Sequence, residues 1–265
     1  MKNYLVIGNP IEHSISPKIH NYWFKENKIK ANYDKMNLEH EQLEDIIRKI
    51  REKKIHGVNV TAPFKEKVIS HLDKLSPEAK EANSVNTIYL FKNSIIGHNT
   101  DIAGFYMSLK DKNINLHNKN AFILGSGGVV ASIIIALKKL GIKKITISNR
   151  TKDRAVKIKE QFDFLEILDW GETKKADIII NTTSLGLKET DNIDLDYSVF
   201  EANSFFYDLI YNPKETKFLL SAKKYGFTTL NGLMMFVYQA AHAFEIWHKA
   251  KPEIDRKLIT FIKND

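Results

Sequence analysis

Four short polar segments stand where apolar strands should end: Ser14-Ile15-Ser16-Pro17, Asn59-Val60-Thr61-Ala62-Pro63-Phe64-Lys65, Ser84-Val85-Asn86-Thr87 and His98-Asn99-Thr100-Asp101. In an open α/β sheet the carboxyl ends of strands are where ligands bind, so the four segments converge on one predicted cleft. Their hydroxyls, amides, lysine and aspartate suit a small polyhydroxylated ligand, and Lys65 with Asp101 is a workable acid/base pair. Taken alone, that pair also reads as a surface ion pair worth about 0 to 1 kcal/mol, and Ser16 before Pro17 as a helix cap.

A second constellation is Ala121-Phe122-Ile123-Leu124-Gly125-Ser126-Gly127-Gly128-Val129-Val130. It sets glycines between an apolar strand and an apolar helix, where a dinucleotide pyrophosphate would meet backbone N–H groups and the helix dipole. A plain tight turn remains the other reading, since Val130 occupies the third fingerprint position. At the end of the next strand, where an NAD enzyme places an acidic residue, stands Ser148-Asn149-Arg150-Thr151. Arg150 follows Gly125 by 150 − 125 = 25 positions, near the expected ~20. Arg154 lies one helical turn further, so two guanidiniums could clamp a 2′-phosphate, which favours NADP over NAD. Pairing with surface carboxylates is the alternative use of these arginines.

The elements that must position these residues follow from apolar periodicity. Strands are expected at Tyr4–Gly8, Asn32–Leu38, Gly57–Val60, and Val85–Phe91 paired with Ser94–His98 as a hairpin through Lys92 and Asn93. A second strand set comprises Ala121–Leu124, Lys144–Ser148, Ile178–Asn181 and Phe206–Leu209. Helices are expected from Ser16, as N-cap, to Glu26, then at Gln42–Lys53, from Ile102, at Val129–Leu140 and Arg154–Gln161, and over Leu233–Trp247 and Pro252–Ile262. The alternation implies an α/β fold: an N-terminal mixed-sheet substrate domain and a Rossmann-type dinucleotide domain with a cleft between them. The domains are read as 1–103, with helices of 238–265 packing back on it, and 104–237; the polar stretch Lys110–Asn120 is the clearest break in composition.

Composition sets the outer limits. The 265 residues include 43% hydrophobic, 11% aromatic and 27% charged, a globular balance that excludes bulk disorder. No cysteine is present, which excludes disulfides and thiolate chemistry and fits a reducing, cytoplasmic setting. The longest apolar run, Val129–Leu137 broken by Ser132, falls far short of the ~20 residues of a membrane span, so no membrane partner is expected. The net charge of +8 is spread as Lys/Glu alternation without a like-charge block, so no nucleic-acid partner is expected either. His13 reads as structural, and Met234, Met235 and Phe236 as core packing.

Taken together the motifs closely resemble the shikimate dehydrogenase family. The resemblance runs through Gly8-Asn9-Pro10-Ile11, His13-Ser14-Ile15-Ser16-Pro17 and His20-Asn21, then Asn59-Val60-Thr61 with Pro63 and Lys65. It continues through Val85-Asn86-Thr87, Asn99-Thr100-Asp101 with Gly104-Phe105, the glycine turn, Asn149-Arg150-Thr151, Asn181-Thr182-Thr183-Ser184, Tyr211-Asn212-Pro213, and Gly232 with Gln239. Ser126 departs from it, standing where the family more often has Ala.

By that resemblance the chain is expected to reduce 3-dehydroshikimate to shikimate with NADPH, without a metal, as a monomer or homodimer. Lys65 and Asp101 would be catalytic. Ser14, Ser16 and Tyr211 would bind the substrate carboxylate, and Thr61, Asn86, Asp101 and Gln239 its ring hydroxyls. Gly125, Ser126, Gly127, Gly128, Val129, Asn149, Arg150, Thr151, Arg154, Thr183 and Gly232 would hold the cofactor. A quinate/shikimate dehydrogenase of broader specificity and a catalytically silent NADP-binding sensor are the competing expectations.

Overall fold

The chain begins with a strand whose alternate residues are buried, and strand–helix alternation continues along nearly its whole length. The computed structural model describes residues 1–263 and separates into two units, Met1–Gly104 with the chain from Val237 onward, and Phe105–Phe236.

In the first unit the order is β1 (Lys2–Gly8), α1 (Ser16–Glu26), β2 (Ala31–Asn37), α2 (Leu43–Arg51), β3 (Gly57–Val60), β4 (Lys74–Leu75), α3 (Pro77–Ala82), β5 (Thr87–Phe91), β6 (Ser94–His98) and the start of α4 (Asp101–Asp111). The six strands form one sheet in the order β2-β1-β3-β5-β6-β4. β1 runs parallel to β2 and β3, whereas β5 is antiparallel to both β3 and β6, so the sheet is mixed as expected. Because β5 alone is reversed, its amino end lies beside the carboxyl ends of β3 and β6. That reversal places Asn86, just before β5, next to the segments that follow β3 and β6.

Local sequence explains the helices. In α2, Leu43, Ile46, Ile47 and Ile50 recur at helical spacing and are all buried, against Val58, Ile88 and Ile95 of the sheet. Ser16 is not the cap expected for α1. It is the helix's first residue, Ile15 precedes it as a cap without a side-chain bond, the Ser16 N–H is taken by Ser14 Oγ, and Pro17 within the first turn has no N–H to satisfy.

The second unit contains the rest of α4, then β7 (Asn120–Leu124), α5 (Val130–Lys139), β8 (Lys144–Ser148), α6 (Lys152–Gln161), β9 (Glu166–Leu168), β10 (Ile178–Asn181), β11 (Phe205–Asp208), α7 (Lys217–Lys224), β12 (Thr228–Leu230) and the first turn of α8 (Leu233–His248). α8 then continues in the first unit, followed by α9 (Arg256–Lys263). All strands of the second sheet are parallel, in the order β12-β11-β10-β7-β8-β9. This is the doubly wound dinucleotide-binding order, with its switch point between β7 and β10. Helix α5, almost wholly buried, fits the near-continuous apolar run Val130–Leu137.

The division at Gly104 and Phe105 falls inside α4 and not in the polar stretch Lys110–Asn120. That stretch ends α4 and leads into β7, where the Lys119 ammonium and the Asn120 N–H both bond to Asp177. Its composition marks a helix end and a turn rather than a boundary.

Candidate active site

At the carboxyl end of the first sheet, three of the four polar segments are joined by hydrogen bonds. Lys65 Nζ donates to Asp101 Oδ2 at 2.6 Å, with the two side chains 15% and 7% exposed. Asn86 Nδ2 donates to the other oxygen, Oδ1, at 2.9 Å. The main chain holds the same geometry: the Val85 N–H bonds to the Lys65 carbonyl, and the Asn86 N–H to that of His98. Asn99 Oδ1 accepts from the N–H groups of Asp101 and Ile102, so Asp101 opens α4 in a fixed orientation. A carboxylate in a first helical turn is favoured by the helix dipole.

The Ser14–Pro17 segment follows β1 and is tied to the Thr61–Lys65 loop by the Asn9 N–H, which bonds to the Ala62 carbonyl. Thr61 is held through its N–H to Ile7, and a Cβ at Gly8 would lie 2.5 Å from the Thr61 methyl, so only glycine allows the two loops this approach. The Ser16 N–H donates to Ser14 Oγ at 3.3 Å. Gln239 lies one turn before His242 on the same face of α8. The His242 ring sits 5.4 Å from that of His98 at the end of β6, so this face of α8 runs past the Asn99–Asp101 corner.

In the second unit Gly125 follows β7 with φ +112°, a conformation that side chains rarely adopt. A Cβ there would also lie 2.4 Å from Thr182 Oγ1, which places the loops after β7 and β10 against each other at the switch point. Thr183 is engaged in its own turn, donating to Asn181 Oδ1 and accepting from the Leu185 N–H. Asn149 Nδ2 bonds to the Thr151 carbonyl at 2.7 Å and so braces the turn that presents Arg150 before α6. Tyr211, on the loop after β11, packs its ring 5.0 Å from Phe236, and burial pushes its hydroxyl up to about 12.

Three features of this unit fit a bound dinucleotide. Ser126 Oγ is buried without a hydrogen-bond partner, nothing lies within 4 Å of a Cβ built at Gly127, and neither Arg150 nor Arg154 pairs with a carboxylate among the described residues. Lys152, between them, is instead bound to Asp169 at 2.7 Å.

Gly232 has a packing reason of its own. A Cβ there would lie 1.9 Å from the Leu209 carbonyl oxygen, a contact that backbone cannot relieve by rotation. Gly232→Ala is therefore expected to destabilise the protein by roughly 1 to 3 kcal/mol, as overpacking does. Urea unfolding measures it, and an unchanged midpoint would show that the loop gives way.

Sequence reasoning missed a buried set in each unit. In the second, Asp208 accepts from Asn181 Nδ2, Thr216 Oγ1 and the Ile210 N–H, and burial pushes its carboxyl up despite those donors. In the first, Tyr33 donates to Asn59 Oδ1 at 2.6 Å across β1, although only its position in β2 is buried. Among the described residues no group of three or more His, Cys, Asp or Glu could hold a metal, and no helix is long and apolar enough to cross a membrane.

A doubly wound sheet with a glycine turn and arginines free of carboxylate partners among the described residues, together with a second sheet presenting a largely buried lysine–aspartate pair, defines a dinucleotide-dependent oxidoreductase. Family models agree along the chain: a shikimate dehydrogenase substrate binding domain matches residues 6–88, shikimate / quinate 5-dehydrogenase residues 108–205, and a shikimate 5'-dehydrogenase C-terminal domain residues 232–256. The shikimate dehydrogenase (NADP(+)) of Pelagibacter ubique is 57% identical over 261 residues, covering 98% of each chain. Among solved structures, shikimate dehydrogenase of Aquifex aeolicus superposes with a TM-score of 0.90 at 34% identity, covering 100% of this chain and 98% of that one. The Thermus thermophilus enzyme, in complex with NADP(H) and shikimate, gives 0.88 at 31% identity, covering 99% and 98%. The chain belongs to the shikimate dehydrogenase family.

Proposed function

We propose that the protein catalyses the reversible, NADPH-dependent reduction of 3-dehydroshikimate to shikimate, in the shikimate pathway and in the cytoplasm. The observation that carries this reading is the Lys65–Asp101 pair, fixed at 2.6 Å where the carboxyl end of the sheet gathers the polar segments. Bound NADPH supplies the hydride. As the carbonyl carbon accepts it, the carbonyl oxygen gains charge, and Lys65 donates an N–H to that oxygen and then the proton that makes the hydroxyl. Asp101 holds the lysine in place. In the reverse direction the same nitrogen receives the hydroxyl proton.

Around that centre, Ser14, Ser16 and Tyr211 take the substrate carboxylate, and Thr61, Asn86, Asp101 and Gln239 take its ring hydroxyls. Asn86 already donates to Asp101 and Thr100 and accepts from the Thr100 N–H. It therefore offers a ring hydroxyl a bond only in exchange for one of these. The backbone of Gly125–Val129, with the orphan Ser126 hydroxyl, Thr183 and Gly232, cradles the pyrophosphate and nicotinamide half of the cofactor. Asn149, Arg150, Thr151 and Arg154 hold the 2′-phosphate end.

The test is initial-rate formation of reduced cofactor with shikimate or quinate, each paired with NADP or NAD. Turnover confined to shikimate with NADP supports the reading. A preference for quinate keeps the fold and overturns the substrate assignment, and silence with NADP still bound moves the protein to a sensor. For the arginine clamp, Arg150→Ala should weaken NADP binding at least about tenfold more than NAD binding, since only the former loses a guanidinium–phosphate pair. Fluorescence titration of both cofactors measures this, and equal losses would refute the clamp.

A further inference from the structure

Lys65 and Asp101 are the visible end of a longer buried chain of hydrogen bonds that no motif announces. Tyr33 OH meets Asn59 Oδ1 at 2.6 Å, and Asn59 Nδ2 meets both the Asn86 carbonyl and Thr87 Oγ1 at 3.0 Å. Thr87 Oγ1 meets Asn86 Oδ1 at 3.1 Å, and Asn86 Nδ2 meets Asp101 Oδ1 at 2.9 Å. Tyr33, Asn59, Asn86, Thr87 and Asp101 are all buried. Strand register brings them together: Tyr33 stands opposite Tyr4, Tyr4 opposite Gly57, and Asn59, two residues on and on the same face, opposite Thr87.

Donor and acceptor chemistry fixes the direction of most links in this chain. The Asn86 main-chain carbonyl can only accept, so the Asn59 nitrogen faces it and Asn59 Oδ1 faces Tyr33, whose phenol must donate. The second Asn59 amide hydrogen goes to Thr87 Oγ1, which leaves the Thr87 proton for Asn86 Oδ1 at 3.1 Å, the nearer of its two acceptors, Thr100 Oγ1 lying at 3.4 Å. The Thr100 N–H donates to that same oxygen at 2.8 Å. The Thr87 and Thr100 hydroxyls and the Thr100 N–H thus all face the Asn86 amide oxygen, and its amide nitrogen is turned to Asp101 and Thr100 Oγ1. A flipped Asn86 would set an oxygen against the carboxylate and an NH2 against the Thr100 N–H, leaving buried groups unpaired. The far end cannot swing away, because the Tyr33 ring is stacked on His20 at 4.3 Å with the planes 1° apart.

We propose that Tyr33, Asn59 and Thr87 are positioning residues for this reaction, a proton-ordered relay that keeps the Asn86 amide turned toward Asp101 and so aims the Asp101–Lys65 pair. The proposal rests on the reading of Lys65 and Asp101 as the catalytic pair. Thr87 is the most direct place to break the relay, since valine has its shape without its hydroxyl.

The test compares Thr87→Val, Thr87→Ser, Tyr33→Phe and Lys65→Ala by steady-state kinetics with shikimate and NADP, alongside thermal unfolding. Thr87→Val should lower kcat about tenfold, the worth of one hydrogen bond serving a charged group, with the KM for NADP unchanged. Thr87→Ser should restore kcat, and Tyr33→Phe, one link further away, should lower it about threefold. A merely structural role would lower the melting temperature while leaving the kcat of the folded enzyme within twofold for Thr87→Val, and that result overturns the proposal. If Thr87→Val does not fold, Tyr33→Phe decides by the same criterion. Lys65→Ala separates the two readings: retained turnover there overturns the catalytic pair itself, whereas its collapse beside an unaffected Thr87→Val overturns the relay alone.

Discussion

Lys65→Ala is expected to lower turnover roughly 10² to 10⁴-fold while leaving NADP affinity within a few-fold of the parent protein. That range corresponds to about 3 to 5 kcal/mol of barrier, a typical share for a positioned proton donor in a carbonyl reduction. Lys65 Nζ lies 2.6 Å from a carboxylate that also accepts from Asn86 and opens a helix, so the nitrogen is held in one place for proton transfer. Removing one member of a partly buried pair also leaves Asp101 with an uncompensated charge, which costs stability. Turnover must therefore be referred to folded enzyme, by circular dichroism at the assay temperature. The residues proposed to hold the cofactor lie in the other unit, so NADP titration serves as an internal control for folding. Activity within a few-fold of the parent would sink the assigned role of Lys65, and a parallel loss of NADP affinity would mean that the substitution had damaged more than the proton transfer.

What could be read from the sequence divides by how local the signal is. The parallel strands Ile178–Asn181 and Phe205–Asp208 are short apolar runs buried on both faces, and the glycine turn before α5 is a local pattern, so both were legible. The short edge strands β4, β9 and β12, two or three residues each, carry no period of their own and exist only because a neighbour pairs with them. Helix α7 was missed because its start depends on Thr216, whose hydroxyl is also bound by the distant Asp208. Ser16 shows the opposite failure: a good local cap residue placed one position too far inside the helix. At the site, Lys65, Asn86 and Asp101 could be named from their segments, but their mutual contacts required the reversal of β5. Tyr33 could not be named at all. Its strand, Ala31–Asn37, is polar on either side of it, and its partner Asn59 is two strands away. Gly232 was assigned to the cofactor by resemblance, whereas the nearness of the Leu209 carbonyl gives it a packing duty that no pattern of residue types reveals.

Lowering the pH from 7 to 5 should destabilise the protein by about 2 kcal/mol through His20 alone, and by about 4 kcal/mol once pH 3 is reached. His20 is fully buried, with neither ring nitrogen hydrogen-bonded. It is packed among Trp23, Phe24, Tyr33, Phe244 and Trp247, where helices α1 and α8 meet the sheet. Burial, and secondarily the nearby His248, lower its pKa to about 3. His248 is lowered to about 4, again by burial first and then by Lys2. The sign follows from proton counting. Near pH 6.5 and below, the unfolded chain binds a proton at each histidine that the folded chain refuses, so stability is full above that pH and falls as pH drops toward the folded values. Because His248 is only partly buried, its share is smaller than that of His20. Asp208 acts in the other direction, since a buried carboxyl with a raised pKa binds protons more readily folded than unfolded. Urea unfolding at pH 7 and pH 5 of the parent and of His20→Phe isolates the term. The variant should lose some stability at pH 7 from overpacking, yet its loss between pH 7 and 5 should be about 2 kcal/mol smaller. Parallel pH dependences of the two proteins would show that His20 gains a proton in the folded state, which its aromatic surroundings should forbid.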